Sequence, residues 1–270
     1  VRVACRPLTA DDTEPLTAFL GSGMPWDAFL LDALDAGGAS GFYGAFDGDA
    51  LDGVAFLRRG AVSAGARTSR HSAHALAATL GARDPWTSVV GPEEPCREIV
   101  SCFRGRQPFR VDRVQQFMSV ARGEPLGPGD SGARRATAED LDALVPIIAR
   151  YRVEDGLSNP GDDHGAWIRA HTMERIHCGN LFVVEDAGAI VFTGAFNFAG
   201  RAGAGLGGIY TVPALRARGI ASRATSDLCR IALDAGPVAT LHVDPRNVAA
   251  IRAYEKAGLK RAGEFRLTFR

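Results

Sequence analysis

The residues of this chain whose types and spacing could do chemistry gather first between positions 209 and 222. Ile209-Tyr210-Thr211-Val212 reads as the end of a strand, which Pro213 stops. Arg216-Ala217-Arg218-Gly219-Ile220-Ala221-Ser222 follows. It opens an apolar pattern of helical period through Ile220, Ala224, Leu228, Ile231 and Ala232. The first amides of a helix lack intrahelical acceptors and carry partial positive charge, so such a start is an anion site. Gly219 lets an anion reach the main chain with no Cβ in the way, and Ala221 is the next smallest choice. Arg216 and Arg218 add charge suited to a diphosphate. The plain alternative is an ordinary turn before a helix.

A second cluster lies downstream. Asn247 stands where it caps a helix, and Tyr254 falls seven residues on. Seven residues are almost two turns, so both side chains face one side of that helix. The two blocks together resemble the GNAT superfamily of N-acetyltransferases. Arg216–Ala221 fits its R/Q-x-x-G-x-G/A signature. Asn247, Ala250, Tyr254 and Gly258 are similar to its N-x-x-A-x-x-x-Y-x-x-x-G-F segment, with Leu259 in place of Phe. One helix and one strand fill the interval, as in the family, and the resemblance covers about residues 132–270.

The resemblance implies acetyl-CoA as cosubstrate and an amine as acceptor. It implies a pantetheine arm beside Ile209, Tyr210 and Thr211, and a diphosphate on the main chain of Ala217, Arg218, Gly219, Ile220, Ala221 and Ser222. It implies Asn247 on the pantetheine arm and Tyr254 near the thioester sulfur, donating a proton to the departing thiolate. The alternative for Tyr254 is a core tyrosine on the inner face of a short helix. Many relatives carry a Glu as base on a central strand, and the glycine-rich strand Gly205–Gly208 offers none. Relatives that acetylate protein N-termini can carry a Glu five residues before the Asn. Here that place is His242, whose ordinary pKa of about 6.5 suits a base near neutral pH. A packed structural histidine is the competing reading. Glu154 and Asp155 could attract a cationic amine or act through water, or simply be a solvated helix end. His164 and His171, with Glu174, read as surface residues before metal ligands.

These groups need a scaffold. In the C-terminal half, Thr137 with Asp140 signals a helix start. Helical spacing continues through Ile148, and a further helix is expected over 163–176. A hairpin is expected around Asp186-Ala187-Gly188, joining strands 181–185 and 189–198, with a third strand near 206–212. Then come a helix over 220–235, a strand over 238–243, a helix over 247–257 and a last strand over 265–269. The first half repeats the order. Helices are expected over 9–20 and 26–36, and a hairpin over 41–58 around Asp47-Gly48-Asp49. A helix over 71–80, a strand over 87–90, a helix over 93–102 and a strand over 115–120 follow. It lacks both the loop signature and the Asn–Tyr segment. The fold class is therefore α/β (α+β mixed sheet): two GNAT-like domains in tandem, each a twisted, mostly antiparallel sheet flanked by helices. The expected division is a degenerate domain at 1–121, a Gly- and Pro-rich linker at 122–135 and an acetyl-CoA-binding domain at 136–270.

Bulk properties bound the partners. The 270 residues carry 31 basic and 31 acidic side chains, so no global field exists to hold nucleic acid or an anionic membrane. Five cysteines without a C-x-x-C pair read as reduced thiols of a cytoplasmic protein. No apolar run approaches a membrane span, and the start shows no signal peptide. The expected partner is an amine acceptor, without nucleic acid or membrane, and a homodimer is left open. Two alternatives stand beside a general N-acetyltransferase: a tandem enzyme similar to mycothiol synthase, and a non-catalytic acyl-CoA-binding sensor.

Overall fold

In the computed structural model the described residues are 3–81, 86–103, 109–159, 161 and 164–270. The chain forms two compact units, and neither is one continuous stretch. The first comprises Val1–Met118, His242–Arg246 and Arg261–Arg270; the second comprises Ser119–Leu241 and Asn247–Lys260. A division read along the sequence at 122–135 is contiguous; the structural one is not.

The first unit contains β1 (Ala4–Pro7), α1 (Thr13–Ser22), α2 (Ala28–Gly37), β2 (Phe42–Asp47), β3 (Ala50–Arg58), β4 (Ala61–Ala64), α3 (Arg70–Gly81), β5 (Ser88–Pro92) and α4 (Glu93–Ser101). It also holds most of β6 (Val111–Ala121). Strands β1 to β4 pair antiparallel in succession, and β4 pairs β5 in parallel. One apolar cluster gathers Leu16, Leu20, Leu30 and Phe42; another gathers Leu76, Leu80, Ile99 and Trp86.

The second unit holds β7 (Arg134–Arg135), α5 (Leu141–Glu154), α6 (Gly165–His177), β8 (Leu181–Asp186), β9 (Ala189–Gly200), β10 (Gly203–Thr211) and α7 (Ile220–Ala235). Most of β11 (Val238–Val243) and all of α8 (Val248–Ala257) complete it. Strands β7 to β10 pair antiparallel in succession, and β10 pairs β11 in parallel. Each unit thus has two helices, an antiparallel meander, and then a parallel pair joined by a helix, which is the mixed sheet expected. The last strand, β12 (Lys260–Phe269), is twice as long as the sequence suggested. Its residues Phe265–Phe269 pair antiparallel with Pro92–Ser88 of β5, inside the first unit.

The two units also share a residue-level device. Thr9 and Asp12 form a capping box, the Thr9 amide donating to Asp12 at 2.8 Å, and Arg6 grips the same carboxylate through two bonds of 2.6 and 2.7 Å. Thr137, Asp140 and Arg134 repeat the arrangement at equal spacing, with 2.7 Å from the Thr137 amide and 2.7 and 2.8 Å from Arg134. The Arg134 guanidinium and the Thr137 amide, outweighing burial, hold the Asp140 carboxyl down at about 2. Each device fixes where the first helix of its unit begins.

Residues 122–135 are packed within the second unit. Arg122 donates to the carbonyls of Leu233, Asp234 and Gly236. Asp227 accepts from the Ser131 amide and hydroxyl at 2.9 and 2.6 Å. Gly127 runs so close to the Lys256 carbonyl that no Cβ would fit. Here glycine serves close approach rather than flexibility. The helix expected from 163 starts at Gly165, and residues 162 and 163 lie outside the described residues.

Candidate active site

Strand β10 is irregular at the place the sequence marks. Gly207 pairs with Ala195 and Tyr210 with Thr193, so Gly208 and Ile209 together oppose Gly194. This is a β-bulge, and Gly208 takes φ +60°, the left-handed conformation glycine adopts freely. The other edge of β10 opens as well. Its pairing with β11 covers Ala204–Ala239 and Gly205–Thr240, while β10 itself runs on to Thr211. The described pairing with β11 ends at Gly205, so Leu206–Thr211 have no described strand partner on that edge. Ile209 and Thr211 are partly exposed and Tyr210 is buried. The Thr211 Oγ1 is buried without a partner among the described residues, an orphan that an inserted polar arm could satisfy.

Beyond Thr211, a 3-10 turn at Pro213–Leu215 leads into α7. Ala217 and Gly219 adopt φ +64° and +75°. The two left-handed residues turn successive amides to one side, the geometry of an anion nest. The first intrahelical bond is from the Arg223 amide to the Gly219 carbonyl at 3.2 Å. Among the described residues, none of the six amides from Ala217 to Ser222 has an acceptor. A Cβ on Gly219 would project into this cradle, 2.8 Å from Arg223 Nη1. Both observations fit a diphosphate.

Arg216 is tied down by its neighbours. Its Nη2 donates to Glu154 at 2.6 Å and its Nε to the Thr211 carbonyl at 3.1 Å. Glu154 also accepts from the Tyr210 hydroxyl at 2.7 Å and from Arg150 at 3.2 Å. Burial alone would raise the Glu154 pKa, but Arg216 and Tyr210 outweigh it and hold the carboxyl below its ordinary range. Glu154 is therefore an ion-paired tie between the end of α5, the end of β10 and the loop. The sequence marks Glu154 as a helix end and carries no local signal for these partners.

Asn247 caps α8, accepting from the Ala250 amide at 3.1 Å, and is otherwise exposed. Tyr254 lies two turns on and is 7 % exposed. Its hydroxyl makes no hydrogen bond among the described residues. Burial raises its pKa, and the charges of Tyr151 and Asp155 push the same way, so the phenol stays protonated. Gly258, at φ +109°, ends the helix against the main chain of Pro125 and Leu126.

His242 belongs to the first unit. Its Nδ1 meets Gln115 Oε1, and its ring stacks on Phe265 at 4.8 Å. Burial pushes its pKa down to about 4. The expectation of a group titrating near neutrality rested on the ordinary imidazole value, and tertiary burial has moved it. His171 stacks on Trp167 at 5.0 Å, with Glu174 3.7 Å from its Nδ1.

The first unit's segment between β4 and α3 stands in the same topological place as the cradle, and four of its amides have acceptors. Gly65 donates to the Val54 carbonyl, Thr68 to Gly65 and Ser69 to Asp52. The Ala66 amide donates to both oxygens of Asp27 at 2.8 and 3.1 Å. Asp27 is fully buried, and burial, opposed by the Ala66 amide, raises its pKa to about 8. Strands β4 and β5 stay paired through Ser63–Val90, and Gly91 packs against Ala64 and Cys96.

Residues 142–259 match the acetyltransferase (GNAT) family. No curated protein matches the chain in sequence. Among solved structures, an acetyltransferase of the GNAT family from Colwellia psychrerythraea is 17 % identical, with 100 % of both chains covered and a TM-score of 0.59. A GCN5-related N-acetyltransferase from Sphaerobacter thermophilus is 17 % identical, covering 99 % of this chain and 95 % of the other, with a TM-score of 0.58. A tandem GNAT protein from the clavulanic acid biosynthesis pathway is 11 % identical, covering 99 % and 98 %, with a TM-score of 0.53. At these identities the likeness is one of fold. Residues 142–259 thus match the acetyltransferase (GNAT) family, and the chain's fold is similar to that of solved GNAT structures.

Proposed function

We propose that the chain is an acetyl-CoA-dependent N-acetyltransferase that binds one acetyl-CoA through its second unit and transfers the acetyl group to a primary amine. The observation that carries this reading is the run of six acceptorless amides at 217–222, next to a strand edge left open from Leu206. The amides would hold the diphosphate, with several charge-assisted bonds worth about 1.5–3 kcal/mol each. The main chain of 206–211 and Asn247 would hold the pantetheine arm. Acetyl-CoA, when bound, supplies an activated thioester. Tyr254, kept protonated by burial, holds the proton that a leaving thiolate requires. His242, with its pKa near 4, is neutral over the whole neutral range, the protonation state a base requires. The four bonded amides and the paired strands of the first unit support a stoichiometry of one. Five free cysteines suit a reducing, cytoplasmic setting.

Calorimetry with acetyl-CoA, followed by a panel of amine acceptors read by thiol release, tests the reading. One site per chain and release with at least one amine are expected. No binding would overturn it. Binding without release from any amine, and without slow hydrolysis, would replace the enzyme by a sensor.

A further inference from the structure

Two of the arginines that border the cradle, Arg216 and Arg223, differ in their surroundings. Arg216 is held by an ion pair: Glu154 and the Thr211 carbonyl take two of its five N–H donors, and its guanidinium lies over the Tyr210 ring at 5.1 Å. A diphosphate would have to win it from a carboxylate 2.6 Å away. Arg223 sits one turn into α7 and folds back toward the helix start. Its Nη1 is 2.8 Å from the point where a Gly219 Cβ would stand, and it donates only a long bond, 3.4 Å, to the Arg218 carbonyl. That guanidinium therefore stands over the acceptorless amides, with most of its donors uncommitted. No carboxylate is paired with it among the described residues.

We infer that Arg223, rather than Arg216, is a side-chain cation that meets the diphosphate at this cradle, and that Glu154 locks Arg216 as a positioning residue for the loop. The inference rests on the acetyl-CoA reading above and changes which charge does the binding. The chemistry is that of a guanidinium fork, which matches two phosphate oxygens where a single amide matches one. The Glu154–Arg216–Tyr210 tie then has a different task. It holds the end of β10 and the loop in register, so that amides and cation face the same anion.

Calorimetry on the full chain with two probes tests this: coenzyme A, and acetyl-pantetheine, which lacks the diphosphate. Arg223→Gln should weaken coenzyme A about 10- to 100-fold, as for a lost charge-assisted bond, and leave acetyl-pantetheine unchanged. Arg223→Lys should recover part of the loss. Arg216→Gln and Glu154→Gln should weaken both probes by similar, smaller factors. Their double variant should be no worse than either single one, because both remove one tie. Thermal melts confirm that each variant is folded. Coenzyme A bound equally by wild type and Arg223→Gln would overturn the inference and leave the acetyl-CoA reading standing. So would a loss confined to coenzyme A in Arg216→Gln. A wild type that binds neither probe would overturn both.

Discussion

Gly219 offers a test in which stability and binding are driven apart. It occupies the N-cap of α7 at φ +75°. Asn and Asp are the side chains that best tolerate this conformation, and they are nearly equal in size, so Gly219→Asn and Gly219→Asp carry a similar backbone penalty of about 1 kcal/mol. They differ in one charge, placed beside the six amides. Toward the protein alone the charge is favourable, because a carboxylate at a helix start gains about 0.3–1 kcal/mol from the dipole. Arg223 Nη1, 2.8 Å from the new Cβ, would pair with it. Toward a diphosphate the charge is repulsive. Two unit charges about 5 Å apart cost roughly 0.8 kcal/mol at a dielectric constant of 80 and about 3.3 kcal/mol at 20. The expected result is a Gly219→Asp protein that melts at or above Gly219→Asn. It should bind coenzyme A between roughly 4-fold and a few hundred-fold more weakly. The difference should shrink as salt rises. Calorimetry and melting curves at two ionic strengths suffice. Equal affinity of the two variants would refute the assignment of the diphosphate to these amides.

Tyr254→Phe removes one hydroxyl from a buried ring. Turnover should fall by about 10²- to 10⁴-fold with acetyl-CoA affinity nearly unchanged, and normal turnover would assign the proton elsewhere. For His242, the depressed pKa sets both a rate and a stability window. If it is the base, the acid limb of the rate profile that His242→Gln abolishes should fall near pH 4; a limb near 6.5 would contradict its burial. Its unfolded form takes up a proton near 6.5 and its folded form only near 4. Stability from this group is therefore complete above about pH 6.5 and declines as pH falls toward 4. The slope of melting temperature against pH in that window should flatten in His242→Gln, and an unchanged slope would point to other groups.

The cradle was legible because its chemistry demands fixed local spacing. A helix start with Gly219, a cap at Asn247 and a phenol seven residues later all lie on short stretches of chain, and the structure places them in one unit. The hairpin at Asp186–Ala189 and the helix over Ile220–Ala235 followed from pattern for the same reason. What escaped depends on partners distant in sequence. Nothing local tells that Glu154 meets Arg216 and Tyr210, or that burial lowers His242. Strand β4, four residues of Ala, Val and Ser, is too short for a periodic signal. The stretch 122–135 has the composition of a linker, yet its glycines allow close packing on α7 and α8. One signal lay in view: Arg6, Thr9 and Asp12 recur as Arg134, Thr137 and Asp140, a three-residue repeat whose meaning is clear once the forked ion pair is seen.

Strand β12 carries a consequence for the order in which the protein is made. The Val89 amide donates to Thr268 Oγ1 across 179 residues of chain. At about 5–20 residues per second, translation leaves the edge of β5 without its neighbour for roughly 10–40 s after β5 has emerged. An uncovered edge with Val89 and Val90 on it is a template for pairing with other chains. The first half of this protein is thus synthesised early and closed late. Until residues 265–269 arrive from the ribosome, β1 to β5 can pair with one another but the outer edge of β5 has no strand of its own chain to take. A gene cut at the apparent linker would make that delay permanent.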